Sequence, residues 1–422
     1  MSGRLNPQGD RDTMRLSRRS LLGTAAAVGS AAALPLASAR AQAATIKIGV
    51  LTDMSGPYQD LAGPGSIAAT NLVASEFMAA NPGARVELVS ADHQNKADIA
   101  AGTARQWFDR DGVDLIIDLS NSAVALAVSG IGREKNKAVI ATGAATSDLS
   151  GKACNANTIH WVYDTYMLAK STGGAMVKAG GDSWFFITAD YAFGHALERD
   201  VGDFVKNAGG RVVGSVRTPF PGTTDFSSFL IQAQASRAKV LGLSNAGTDT
   251  INCIKQVKEF GITMKVAGLL VFLSDVHALG LDICQGLILS ESFYWDLNDR
   301  TRAFSSRYSP RMQGKRPSMV QAGNYASVLH YLKAAKEMGY AAAKADGAGA
   351  IAQMKKMPAD DDCFGSGIIR EDGRKIHPSY LFEVKKPTES KGAYDYYKVL
   401  ASTPAEEAFR PLSAGVCPLV KA

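Results

Sequence analysis

The chain has 422 residues, with 46 Lys and Arg against 40 Asp and Glu, a formal net charge of +6, and 46% hydrophobic residues. That is long enough for two domains of ordinary size, each with its own core. There is no Lys/Arg block and no CxxC pair, which argues against nucleic acid as a partner and against a metal or redox centre.

The first 43 residues read as a targeting segment. Ser17-Arg18-Arg19-Ser20-Leu21-Leu22 matches a twin-arginine export signal, and an Ala/Gly-rich run follows to about Ala37. That run is too short and too mildly apolar for a membrane span of ~20 residues. Ala41-Gln42-Ala43 offers small residues for cleavage after Ala43, with Ala37-Ser38-Ala39 as a poorer option. Removing 1–43 takes away six arginines and two aspartates, so the charge falls from +6 to +2. The remaining 379 residues are expected to be soluble and periplasmic. In an oxidising compartment Cys154, Cys253, Cys284, Cys363 and Cys417 can form disulfides, and their odd number leaves at least one thiol. Spacing leaves the pairing open, Cys253–Cys284 and Cys154–Cys417 both being candidates.

From residue 45 short apolar runs alternate with amphipathic stretches of helix length. Strands are expected over 46–51, 85–89, 115–117 and 138–141, with helices over 66–80, 97–109 and 123–135 between them. The alternation restarts with a helix over 166–178. Strands at 184–187, 212–213, 240–243 and 266–270 then alternate with helices at 194–207, 226–235 and 250–260. Such alternation means parallel sheets covered on both faces. The fold class is therefore α/β, two doubly wound parallel-sheet lobes. A strand at 287–289, helices at 299–312 and 320–338, and antiparallel strands at 380–384 and 394–400 follow. They imply that the chain recrosses between lobes through a multi-strand hinge. The first lobe is expected over 44–162 and 291–362, the second over 163–290 and 363–422.

Ligands of open parallel sheets bind beyond the carboxyl ends of the strands. After the first strand comes a turn tipped by Tyr58; after the third, Ser120-Asn121-Ser122 opens a helix; after the fourth comes Thr142-Gly143-Ala144-Ala145-Thr146. In the second lobe, Tyr191, Phe193 and Asn245 follow strands, as do Tyr294 and Trp295 later. Ser120-Asn121-Ser122 reads equally as a plain helix cap and as hydroxyls and free N–H groups placed for a carboxylate. Tyr58, Tyr191, Phe193, Tyr294 and Trp295, each an ordinary core residue alone, together fit an apolar pocket with few polar groups.

Ile46 to Pro57 (IKIGVLTDMSGP), Thr142 to Leu149 (TGAATSDL), Asp190 to Gly194 (DYAFG) and the strand–helix order resemble the leucine/isoleucine/valine-binding proteins. These are type I periplasmic solute-binding proteins of ABC importers, and the resemblance covers nearly the whole chain after the leader. Asp225 to Ala235 (DFSSFLIQAQA) and Ser292 to Asp296 (SFYWD) look like a closer subgroup. The resemblance implies that the loops after the third and fourth strands hold a ligand carboxylate. The serine typical of the first loop falls on Asn121 and the threonine of the second on Ala145, with Thr146 nearby. The aromatic of the second lobe falls on Phe193 beside Tyr191, and the later aromatic on Trp295 or Tyr294.

One departure carries weight. Amino-acid binders of that family place a carboxylate after the 266–268 strand to neutralise the ligand ammonium; here the position is Leu270. A buried ammonium without a counter-charge costs several kcal/mol. The ligand is therefore expected to be an aromatic or aliphatic carboxylate or an amide, unless Asp249 or Glu291 supplies the charge.

The resemblance implies capture of a small molecule by hinge closure and delivery to an inner-membrane ABC permease. No cofactor is expected, and the protein is expected to act as a monomer. Branched-chain amino acid binding and a periplasmic sensor are the alternatives. No Gly-x-Ser-x-Gly elbow, HExxH motif, P-loop or dinucleotide fingerprint is present, so no enzyme is expected. The triplet Asp360-Asp361-Asp362 reads as a solvated turn rather than a calcium site.

Overall fold

The computed structural model describes residues 44–421; the leader read over 1–43, with its twin-arginine motif and cleavage site, lies outside them. The first lobe is built on β1 (Ile46–Thr52), α1 (Gly63–Ala80), β2 (Val86–Asp92), α2 (Ala97–Asp109), β3 (Leu115–Asp118), α3 (Ser122–Glu134), β4 (Ala138–Ala141) and β5 (Thr158–His160). Its five strands run parallel in the order β2-β1-β3-β4-β5. β3 and β4 are buried along their whole length, as expected where helices cover both faces of a sheet.

The second lobe repeats the plan with β6 (Ser183–Ala189), α4 (Ala192–Asn207), β7 (Arg211–Thr218), α5 (Ser227–Ala235), β8 (Val240–Ser244), α6 (Thr248–Glu259), β9 (Lys265–Gly268) and α7 (Leu273–Leu279). The order β7-β6-β8-β9 is again parallel. Each sheet reverses its winding beside its first strand, β1 or β6, and the loops leaving β1 and β3, or β6 and β8, open there.

β10 (Ile288–Glu291) ends the second unit, and α8 (Asp299–Tyr308) and α9 (Met319–Met338) return to the first lobe, α9 packing along α1. The helix expected to run to 312 leaves α-helical geometry at Ser309, where Pro310 follows and the last turn tightens. After α10 (Gly347–Lys356) come β11 (Ala359–Asp361), β12 (Gly365–Ile369) and β13 (Lys375–Ile376), a small antiparallel sheet that the sequence reading lacked. The acidic triplet is not a solvated turn. Asp360 and Asp361 end β11 and Asp362 opens the turn after it, with Asp361 buried and its Oδ1 accepting from the Cys363 and Phe364 amides. β14 (Ser379–Val384) then pairs antiparallel with β10 on one side and with β15 (Tyr397–Thr403) on the other.

Arg374, in the segment expected with the second lobe, bridges to His160 beside the first sheet. The fully buried Arg374 guanidinium donates to the Val162 and Tyr163 carbonyls and faces Asp164, while His377 Nε2 donates to the Val162 carbonyl. These bonds tie the crossing at 161–164 to the one at 374–378. The disulfide is Cys154–Cys417, which fastens the end of the chain to the first lobe. Cys253, Cys284 and Cys363 are buried thiols, so the alternative Cys253–Cys284 pairing is not made. Among the described residues no helix is long and apolar enough to cross a membrane.

Candidate ligand-binding cleft

A narrow cavity lies where the strand ends of the two lobes meet. The first lobe contributes Tyr58 and Leu61 after β1, Ser120 and Ser122 after β3, Gly143 and Ala145 after β4, and Tyr163 after β5. The second contributes Tyr191 and Phe193 after β6, Ala246 after β8 and Leu270 after β9.

The first-lobe end is a set of hydrogen-bond donors. Ser120 Oγ accepts from the Asp53 amide at 3.2 Å and faces His93 Nε2 at 3.3 Å. The Asn95 amide donates to His93 Nδ1, which fixes the ring with its proton on Nε2. Burial lowers the His93 pKa to about 4, so the imidazole is neutral. Ser122 Oγ accepts from the Thr146 amide at 3.1 Å. With their lone pairs engaged by N–H groups, both serines keep a hydroxyl hydrogen for an acceptor in the cavity. They stand at the N-terminus of α3, whose dipole favours negative charge.

The backbone here is tightly constrained. Asp118 and Leu119 have φ of 83° and 59°, a strained path that delivers Ser120 to the cavity. A Cβ on Gly143 would lie 2.7 Å from Ser120 Cα, so only glycine lets the β3 and β4 loops approach this closely. The Gly143 carbonyl is taken by the Tyr163 hydroxyl at 2.7 Å.

The remaining wall is aromatic and aliphatic. Tyr58 and Tyr191 bring their hydroxyls to 2.6 Å of each other across the lobes, and Phe220 stacks on Tyr191 at 4.2 Å and on Tyr58 at 5.5 Å. Leu270, 3% exposed, lies just past the end of β9, and no carboxylate lines the cavity among the described residues. Behind the tyrosines Asp249 is buried in the first turn of α6, its Oδ2 without a partner among the described residues. Burial raises its pKa to about 7. Glu291 is occupied elsewhere, accepting from the Tyr397 hydroxyl at 2.9 Å.

Of the residues expected at a site, Tyr58, Ser120, Ser122, Gly143, Ala145, Tyr191, Phe193 and Leu270 meet at this cavity. The others are used elsewhere. Asn121 Oδ1 caps α3, accepting from the Ala123 and Val124 amides, while its Nδ2 donates to Asn95. Thr142 donates to Asn324, and the Ala144 carbonyl accepts from His160 Nε2. Thr146 caps the short helix Ser147–Ser150 and gives its amide to Ser122, and it is not among the residues lining the cavity. Asn245 Oδ1 accepts from Thr250 at 2.6 Å, and its buried Nδ2 has no partner among the described residues. Trp295 is turned away: its Nε1 donates to the Tyr394 carbonyl and Arg316 lies over its ring at 4.2 Å. Tyr294 also bonds that carbonyl. Leu61, Tyr163 and Ala246 were missed. Tyr163 follows a strand of only three residues, too short to register as one, whereas Ala246 follows β8 beside Asn245 and was legible by position.

The periplasmic binding protein model matches residues 45–393. A periplasmic binding protein of Burkholderia mallei is 50% identical, with a TM-score of 0.86 over 89% of this chain and 99% of that one. A branched chain amino acid ABC transporter periplasmic ligand-binding protein of Burkholderia xenovorans LB400 is 41% identical over the same shares, with a TM-score of 0.77. A solute-binding protein of an ABC transporter from R. palustris, in complex with benzoate, shares the fold at 20% identity and a TM-score of 0.76, over 86% of this chain and 97% of that one. The curated Leu/Ile/Val-binding protein homolog 6 of Brucella melitensis is 26% identical over 59% of this chain, which spans 65% of that relative's length. With the two-lobed fold, the strand-end cavity and the family match in agreement, this chain belongs to the periplasmic binding protein family.

Proposed function

We propose that this protein is the exported solute-binding component of an ABC importer, and that it captures a small monocarboxylate with an aromatic or aliphatic body by closure of its lobes. The observation that carries the ligand class is the asymmetry of the cavity. Serine hydroxyls and a helix N-terminus stand at one end, with Leu270, Phe193 and Ala246 on the opposite wall and no carboxylate among the lining residues. Such a cavity satisfies one negative charge and an apolar body, and leaves an α-ammonium without a counter-charge. The twin-arginine reading of 1–43 and the family match support a periplasmic location, where an inner-membrane permease would receive the ligand.

Branched-chain amino acids are the second reading, favoured by Asp249, whose unpartnered oxygen lies behind Tyr58 and Tyr191. Burial raises both tyrosines above the ordinary phenol value and the Asp249 carboxylate adds to it, so this charge acts on the cavity wall.

Thermal shift with two millimolar panels separates the readings. One panel holds benzoate, 4-hydroxybenzoate and short aliphatic carboxylates; the other holds leucine, isoleucine and valine. A ligand at 100 times its Kd adds about 2.7 kcal/mol, a rise of a few degrees. A rise with the carboxylates alone is expected. A rise with leucine or valine alone overturns the monocarboxylate reading and assigns the counter-charge to Asp249.

A further inference from the structure

The turn from Tyr58 to Leu61 has the ligand cavity on one side and a larger groove on the other. Both lobes build the groove. The first lobe supplies Arg311, Lys315 and Arg316 from the loop after α8; the second supplies Ser274 and His277 of α7 and Tyr394.

The charge in the groove is uncompensated. Arg311 donates only to the Arg307 carbonyl, and Arg316 donates to the Ser305 and Ser309 hydroxyls while stacking on Trp295. None of the three cations has a carboxylate within ion-pair distance among the described residues. Arg300, Arg302 and Arg307, on the helix just before this loop, each hold two acidic partners. Among the described residues Asp60 is the single acid lining the groove.

The opposite wall is prepared for hydrogen bonding to a flat or oxygen-rich group. Ser274 Oγ has no partner among the described residues. His277 and Tyr394 stack at 4.3 Å, and burial followed by the charge of Lys315 lowers the His277 pKa. Like charges gathered in a concave, partly desolvated groove raise the local potential and attract multiply charged anions.

We propose that this interlobe groove is a second binding site, for a multiply charged oxyanion such as a polycarboxylate or a polyphosphate, held by Arg311, Lys315 and Arg316 against Ser274 and His277. Because the walls come from different lobes, an anion there also favours their closed arrangement.

Isothermal titration of the purified protein at low salt with citrate, and separately with inorganic pyrophosphate, tests the site. Binding of at least one probe is expected, and which probe binds distinguishes a carboxylate source from a phosphate one. The triple variant R311Q/K315Q/R316Q should weaken that binding at least ~10-fold, about 1.4 kcal/mol, and Lys315→Glu, on an exposed side chain, should weaken it without risk to folding. Citrate and pyrophosphate are titrated with no cavity ligand present, and the benzoate thermal shift is read separately on wild type, so failure of this site and failure of the monocarboxylate reading are distinguishable. No binding of either probe, or binding indifferent to the triple variant, overturns the proposal.

Discussion

The hydroxyls of Tyr58 and Tyr191 lie 2.6 Å apart although the residues are 133 positions apart and follow the first strands of different lobes. The bond joins the two switch points of the fold, and Phe220 lies over both rings. Tyr191→Phe should weaken benzoate binding roughly 5- to 10-fold, since a net hydrogen bond contributes about 1 kcal/mol. A double-mutant cycle with Tyr58→Phe, read by calorimetry, should give a coupling of about 1 kcal/mol. Strictly additive effects would show that the bond is not made in the liganded protein.

Leu270 stands where an ammonium would need its counter-charge. Leu270→Asp sets a carboxylate against the bound carboxylate, a like-charge contact costing several kcal/mol. Loss of benzoate binding by at least ~100-fold is expected, with a gain of measurable valine binding. Retention of benzoate affinity would place the ligand away from this wall.

Asp249 makes stability depend on pH. Its folded pKa is raised from 3.8 to about 7 by burial, so between these values the folded state holds a proton that the unfolded chain has released. Stability therefore falls as pH rises through that window, by at most about 1.4 kcal/mol per pH unit from this group. His93 acts oppositely from pH 4 to 6.5, its neutral form being favoured by burial. Asp249→Asn should thus become progressively more stabilising than wild type from pH 4 to pH 7 in urea titrations. A constant difference across that range would mean that the carboxyl is not buried as described.

The Cys154–Cys417 bond closes a loop spanning 263 positions. Restricting so long a loop in the unfolded chain, a model-dependent effect, makes removal cost about 2–5 kcal/mol. Cys154→Ser should lower the urea midpoint accordingly, while Cys253→Ser should not act through a disulfide. Equal midpoints for Cys154→Ser and wild type would contradict the pairing.

The layout was legible because parallel strands buried on both faces read as unbroken apolar runs, as in Trp184-Phe185-Phe186-Ile187, and amphipathic helices separate them. Strand ends then pointed to the cavity: Ser120, Gly143 and Tyr191 were legible by position, and Leu270 through the family resemblance. Strands of two or three residues, β5, β11 and β13, carry no periodicity and exist only through their pairing with neighbours.

Local pattern, set by backbone geometry and side-chain alternation, decided which residues form strands and helices and which loops lie at strand ends. Tertiary structure decided which loop residues still have a free polar atom. Asn121 and Thr146 look like ligand donors until their caps are seen, and Trp295 until its partner Tyr394, 99 positions away, takes its N–H. Asn121 and Thr146 are claimed by amides two residues on, which a helix start sets up locally, whereas the partner of Trp295 comes from a distant segment brought close by burial.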